Sequence, residues 1–170
     1  MMTRRNNRKA FTLVEVLIVV AIMGLAAAVV VPQMLNPGTL HVQAAVRTVI
    51  ADLHVTQNEA IVRQQPRRLV FDMEQGQYTM TDADGNAIVS NSRGGEHRVN
   101  FHKDSRFRSV RVENVMFGND PENNKTIEFD ELGAPNVGGS VDLVSGANRY
   151  RITVAAFTGK VTVTAVPSGG

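Results

Sequence analysis

The 21 residues Phe11–Val31 carry one charge, Glu15, and follow Arg4, Arg5, Arg8 and Lys9 with no acidic residue before them. At about 1.5 Å per residue such a segment forms a helix about 30 Å long, the thickness of a bilayer's hydrocarbon layer. A basic flank stays in the cytosol, so the chain after the apolar run is expected outside it. Glu15 is the anomaly, since an acidic side chain in a membrane helix costs about 2.5–3.5 kcal/mol on insertion scales. It calls for a cation, and no Lys or Arg occurs between Phe11 and Arg47. A cut between Ala10 and Phe11 supplies one, because the new α-amino group lies one helical turn from Glu15. In a helical assembly that amine can belong to a neighbouring subunit, which makes Glu15 a candidate for registering subunits.

The run Ala10-Phe11-Thr12-Leu13-Val14-Glu15 resembles the cleavage and methylation motif of type IV prepilins and type II secretion pseudopilins. Gly24 and Pro32 stand where that family's N-terminal helix usually carries them. Ala10 departs from the Gly usually found before the cut, while keeping a small residue there. The resemblance implies that a prepilin peptidase cleaves before Phe11 and methylates its amine, leaving Glu15 in the mature helix. Two plainer readings stay open. One is a Sec signal peptide cut after Ala26-Ala27-Ala28, and the other an uncleaved anchor; neither accounts for Phe11–Glu15 as a unit.

With about 100 residues left beyond the long helical region, there is room for one small globular domain. The whole chain's hydrophobic content of 43% supports a core. The net charge of +2 comes from the leader, for loss of its four basic residues leaves 14 basic and 16 acidic side chains. The alkaline pI therefore does not imply affinity for nucleic acid. Cys and Trp are absent, so neither a disulfide framework nor a broad stacking surface is expected.

Past Pro32, the run Asn36-Pro37-Gly38 is expected to interrupt the helix, since proline has no donor and disfavours helical geometry in the residue before it. Pro32, Pro37 and Gly38 are thus the expected breaks, with Thr39 capping a second helix over about 40–64. There Val42, Val46, Val49, Ile50, Leu53, Ala60 and Ile61 form an apolar stripe, with Arg47, Asp52, Gln57, Glu59 and Arg63 interspersed as a wet side. After Pro66 the period changes to two. Strands are expected at 69–73, 78–80, 88–89, around Val99 and Phe101, 107–112, 115–117, 127–129, 141–144, 150–154 and 161–164. Residues 82–86 read as a turn, and 90–96 and 118–124 as exposed polar loops.

The segments Thr126-Ile127-Glu128-Phe129, Val141-Asp142-Leu143-Val144 and Arg149–Val154 with Thr158-Gly159-Lys160-Val161 resemble the C-terminal β-domain of the H-type minor pseudopilins, the GspH/FimT group. The expected fold is α+β and type IV pilin-like: a long N-terminal helix packed on a small antiparallel β-domain, with two sheets allowed. The expected organisation is a leader at 1–10, an N-terminal helix at 11–65 with 11–31 as the membrane and assembly segment, and a periplasmic β-domain at 66–170.

Chemistry-bearing constellations are few. His41, His54, His97 and His102 show no ligand-pair spacing, and surface or satisfied roles are expected. Asp82-Ala83-Asp84-Gly85-Asn86 looks like a calcium loop, but its glycine comes too early and the closing Glu is missing, so a tight turn is expected. Arg98, Lys103, Arg106, Arg108 and Arg111 make a candidate basic patch, with Arg106 and Arg108 expected on one strand face. FimT-like relatives serve DNA uptake through an arginine-rich tail, whereas this chain ends Val166-Pro167-Ser168-Gly169-Gly170. A solvated or subunit-facing surface is therefore expected, and nucleic acid is not. No catalytic residue, metal or cofactor is expected, since no nucleophile elbow or phosphate loop occurs.

The resemblance implies a structural minor pseudopilin of type II secretion, single-pass in the bacterial inner membrane with its C-terminal domain in the periplasm. Its implied partners are prepilin peptidase, major and minor pseudopilins and inner-membrane lipid. The alternative within the fold is a type IV pilus minor pilin acting in DNA uptake.

Overall fold

A computed structural model describes residues 12–34, 37–90, 94–120 and 123–167, with the side chains of 29–34 and 37 left aside. The chain divides into two compact units, Met1–Asn36 and Pro37–Gly170.

The first unit contains helix α1, Leu13–Met34. Thr12 opens it, accepting at Oγ1 from the Glu15 amide at 3.2 Å, while its carbonyl accepts from Val16 at 3.2 Å. This hydroxyl satisfies one of the donors that every helix start leaves unpaired. Each described side chain from Thr12 to Ala28 is exposed, Leu13 by 81% and Leu25 by 72%. Apolar residues cover all sides of α1, a pattern that belongs in lipid or in protein contact rather than in water. The expected span Phe11–Val31 lies partly outside the described residues. Helix α1 itself is about 33 Å long, with side chains described for Leu13–Ala28. Among the described residues, no helix is long and apolar enough to cross a membrane.

The helix breaks are placed differently from expectation. Pro32 sits inside α1, and Pro37 and Gly38 are the first residues of helix α2, Pro37–Arg63. Proline suits a first helical position, where its missing donor has no partner to lose. Thr39 is thus inside α2 rather than its cap, and Leu35 and Asn36 lie outside the described residues.

Helix α2 buries Val42, Ala45, Val46, Val49, Leu53 and Ala60. It packs on both sheets of the second unit. Asp52 departs from the expected wet side, being only 3% exposed. Its Oδ2 accepts from the Tyr78 hydroxyl at 2.6 Å, and its Oδ1 lies 3.1 Å from His97 Nε2. The latter is an ion-pair distance, but the ring N–H is poorly aimed for a hydrogen bond. Ile61 is 41% exposed and packs on Gly133 (φ +80), where a Cβ would stand 2.6 Å from its Cδ1.

The remaining chain forms β1 (Arg67–Asp72), β2 (Gln77–Asp82), β3 (Val89–Ser90), β4 (Gly95–Glu96), β5 (Arg98–Asn100), β6 (Arg111–Phe117), β7 (Thr126–Phe129), β8 (Gly139–Ser145), β9 (Asn148–Val154) and β10 (Val161–Val166). One sheet runs β5-β2-β1-β7 and another β10-β9-β8-β6; both are antiparallel, and β3-β4 is a small hairpin. Alternation places Leu69 opposite Met80 and Phe71 opposite Tyr78 on the core face. Phe117, Phe71, Tyr78, Phe101 and Phe107 then form a continuous aromatic run, with ring centroids 5.8, 5.5, 5.7 and 5.4 Å apart. Such tilted and offset contacts add stability beyond the area they bury.

Two segments differ from the strands and loops expected of them. Of the polar stretch 90–96, Ser90, Gly95 and Glu96 lie in the antiparallel β3-β4 pair, with Val89 opposite Glu96, and 91–93 lie outside the described residues. Residues 107–112 are not one strand. Ser105–Phe107 is a 3₁₀ turn capped by Asp104, whose Oδ1 accepts from the Arg106 amide at 2.9 Å. Ser109 at φ 61 then redirects the chain, and β6 begins at Arg111. Phe107 and Val110 are both buried, a spacing of three that a turn satisfies and an alternating strand does not.

Candidate assembly site

Glu15 lies in the first turn of α1, where its charge complements the positive end of the helix dipole. Thr12-Leu13-Val14-Glu15 has the form of a capping box, a local role that the sequence reading passed over. Only one half of that box is made: Thr12 accepts from the Glu15 amide, and no returning bond from the Glu15 carboxylate is formed among the described residues. None of the ion pairs among the described residues includes Glu15. The expected cleavage and methylation positions, Ala10 and Phe11, lie outside the described residues.

The five candidate basic residues are spread over three elements. Arg98 is on β5, an edge of the first sheet; Arg111 is on β6, an edge of the second; Lys103, Arg106 and Arg108 lie in and around the 3₁₀ turn between them. Arg106 and Arg108 therefore do not share a strand face. Three of the five are engaged by acids. Arg98 pairs with Glu96 at 2.8 Å, Arg106 with Asp104 at 2.6 Å and Arg111 with Glu113 at 3.3 Å. Arg106 also lies 4.9 Å from the centroid of the Phe107 ring, and the Asp104 hydrogen bond holds its pKa above the ordinary arginine value. Lys103 and Arg108 form no ion pair among the described residues.

Sequence reasoning missed a fully buried carboxylate that accepts four hydrogen bonds. Asp142 on β8 has no exposed side-chain surface and accepts from Arg151 Nε at 2.7 Å, Arg151 Nη2 at 2.9 Å, Arg149 Nη1 at 3.1 Å and Asn114 Nδ2 at 3.0 Å. Burial alone would push its carboxyl up; the bonds from Arg151, Asn114 and Arg149 outweigh this and hold its pKa below the usual range. Arg149 continues the network to Glu113 at 2.8 Å. The available signal was β-pairing: Asp142 faces Arg151 across β8-β9 and Glu113 across β6-β8.

The other candidates are accounted for locally. His41 Nδ1 donates to the Arg106 carbonyl at 2.8 Å, and His97 is buried against Asp52. Asp82 Oδ1 accepts from the amides of Asp84 and Asn86 at 3.0 and 2.8 Å, and Oδ2 from Asn86 Nδ2 at 3.1 Å. The Asn86 side chain leads the causes that lower the Asp82 pKa, so this carboxylate serves its own turn. Among the described residues, no three His, Cys, Asp or Glu side chains converge on a point that could hold a metal ion.

A uniformly apolar N-terminal helix with one acid in its first turn, followed by an amphipathic helix on antiparallel sheets, defines a pilin-like protein. Residues 5–31 match the prokaryotic N-terminal methylation motif, and residues 45–159 match the family described as Type II transport protein GspH. The chain belongs to the GspH family. Its fold is similar to that of the minor pseudopilin EpsH from the type 2 secretion system of Vibrio cholerae, with TM-score 0.52 and 11% identity over 76% of this chain and 99% of that one. It is equally similar to the type IV minor pilin FimU of Pseudomonas aeruginosa, with TM-score 0.52 and 9% identity over 74% of this chain and 98% of that one. No curated protein matches the chain in sequence.

Proposed function

We propose that this chain is a structural minor pseudopilin, a subunit of the periplasmic filament that drives protein export by type II secretion. The observation that carries the reading is the GspH match over residues 45–159 on a chain whose residues 5–31 match the methylation motif. Prepilin peptidase removes Met1–Ala10 and methylates Phe11. The segment Phe11–Val31 holds the subunit in the inner membrane, with residues beyond it in the periplasm. During assembly with the other pseudopilins, the Glu15 carboxylate meets the α-amine of a neighbouring Phe11. A charge costing about 2.5–3.5 kcal/mol in lipid is thereby offset only in the correct register. The protein acts as a building block rather than an enzyme.

The test is incorporation into filaments at matched protein levels. Glu15→Leu should insert and fold as the wild type does but enter filaments at least tenfold less often. Equal incorporation of the two would refute the registration role.

The shared fold with FimU keeps a type IV pilus minor pilin as the second reading. A DNA-uptake role within it is disfavoured by the pairing of Arg98, Arg106 and Arg111 with neighbouring acids. Deleting the gene separates the readings: loss of exoprotein release with intact pilus functions supports secretion, and the converse supports the pilus.

A further inference from the structure

A cavity of about 610 Å³ lies between the C-terminal half of α2 and the β2–β3 region. Its volume is in the range of small-ligand sites. Val55, Met80, Ile88 and Val89 supply an apolar wall, and Arg67 and His97 supply polar groups. His97 is held from behind by Asp52.

Arg67 is the unusual member. It is only 9% exposed, and its guanidinium is satisfied by neutral groups alone: Nη1 donates to the Pro66 carbonyl at 3.1 Å and Nη2 to Gln65 Oε1 at 3.3 Å. Its Nε has no partner and is itself fully buried, so it is the rest of the guanidinium that borders the cavity. No carboxylate lies within ion-pair distance of it among the described residues. Asp82, opposite it on β2, acts on Arg67 through space without touching it, and has both oxygens engaged by the 82–86 turn. Glu59, which also lines the cavity, is paired with Arg63 at 3.4 Å. Buried charges are as a rule paired in direct contact, and a buried cation with its counter-charge only at longer range is incompletely compensated. Beside this cation is open space whose lining is mixed, with Val55, Ile88 and Val89 forming its apolar part.

We propose that this cavity binds a carboxylate carried on a short aliphatic stem, the head group meeting the Arg67 guanidinium and the stem lying against Val55, Ile88 and Val89. Phosphate fits less well, because it would bring a more strongly hydrated anion against an apolar wall. A glutamate side chain of another protein and a free small aliphatic acid share the required chemistry. The inference uses residues of the second unit only and does not depend on the filament reading.

The experiment is an NMR titration of the full ¹⁵N-labelled chain in detergent micelles at fixed ionic strength, with sodium butyrate, butyramide and inorganic phosphate as probes. Butyrate should give saturable shifts at the Val55, Ile88 and Val89 amides and at Arg67 Nε–H, with a Kd of about 1–10 mM. Butyramide and phosphate should bind at least tenfold more weakly. Arg67→Gln should abolish the response. Because that variant can disturb folding, Val89→Glu is the second probe: Val89 is 70% exposed, and the new carboxylate should occupy the site and weaken butyrate at least tenfold. Binding of N-acetylglutamate methylamide at butyrate's affinity assigns the site to a protein side chain, and binding of butyrate alone assigns it to a free acid. Equal responses to butyrate and butyramide, no saturable shift, or undiminished butyrate binding by folded Val89→Glu would each overturn the proposal.

Discussion

Replacing Asp142 by Asn keeps the side chain's shape and removes its charge, which isolates the electrostatic role of the second sheet's central carboxylate. The side chain has no exposed surface and accepts four hydrogen bonds, three of them on Oδ2. With the amide oxygen in the Oδ2 position, Asn keeps three weakened bonds and turns its NH₂ against the Nε–H of Arg151. A hydrogen bond to a charged group contributes about 1.5–3 kcal/mol, and breaking a buried pair costs about 3–5 kcal/mol. Arg149 and Arg151 are 27% and 44% exposed in their side chains, so water recovers part of the loss. The expected cost is about 2–4 kcal/mol, equivalent to a fall in Tm of roughly 10 °C for a unit of this size. The pH dependence supplies a second readout. A carboxyl with a depressed folded-state pKa contributes stability above its unfolded pKa of about 3.9 and loses it as pH falls through the folded value. Thermal melts of the full chain in detergent at pH 7 and pH 3 should therefore give a wide gap between wild type and Asp142→Asn that narrows on acidification. A gap below about 0.5 kcal/mol at pH 7, the range of ordinary surface substitutions, would refute the reasoning. So would a gap that acid leaves unchanged.

Three further outcomes are expected. Intact-mass and N-terminal analysis of membrane-extracted protein should find Met1–Ala10 removed and Phe11 N-methylated, whereas a mature end at Val29 would establish a Sec signal instead. Leu53→Asp places an unpaired charge at a site only 1% exposed and should cost several kcal/mol, roughly 3–5; an unchanged melting temperature would contradict the packing of α2. Labelled duplex DNA titrated at two salt concentrations should show no sub-micromolar affinity. A steep salt slope that is lost in Arg106→Ala/Arg108→Ala would move DNA uptake ahead of secretion.

The elements that were legible in the sequence are those where one period rules. Val42, Val46, Val49 and Leu53 repeat at helical spacing, and their burial follows. Leu69 and Phe71, with Tyr78 and Met80, alternate about Gly76 and form the β1-β2 hairpin. Residues 105–110 were not legible because Phe107 and Val110 fit neither alternation nor a full helix, and Asp104's role as a cap needs the turn to exist first. Asp52 was misassigned for a different reason. A lone acid among apolar residues reads as solvated unless its partners are known, and these are Tyr78 and His97, far along the chain on separate segments. Asp142 follows the same logic, since only the pairing of β8 with β6 and β9 supplies Asn114, Arg149 and Arg151. Long-range charge pairing leaves no periodic trace in a sequence, whereas apolar burial does.

This difference bears on where recognition resides under the proposed function. In the second unit several charges on the sheets and the turn between them are already committed: Arg98 to Glu96, Arg106 to Asp104, and Arg111, Arg149 and Arg151 to Glu113 and Asp142. A surface whose charges are satisfied internally gains little from a charged partner, because each new pair must first displace an old one. Glu15 is placed oppositely, with no cation among the described residues and apolar side chains around it. Its pairing energy is thus available to a neighbouring subunit, and it grows as the surroundings exclude water. On this reading the folded domain resists indiscriminate electrostatic association, and the register of assembly rests on one carboxylate in the first turn of α1.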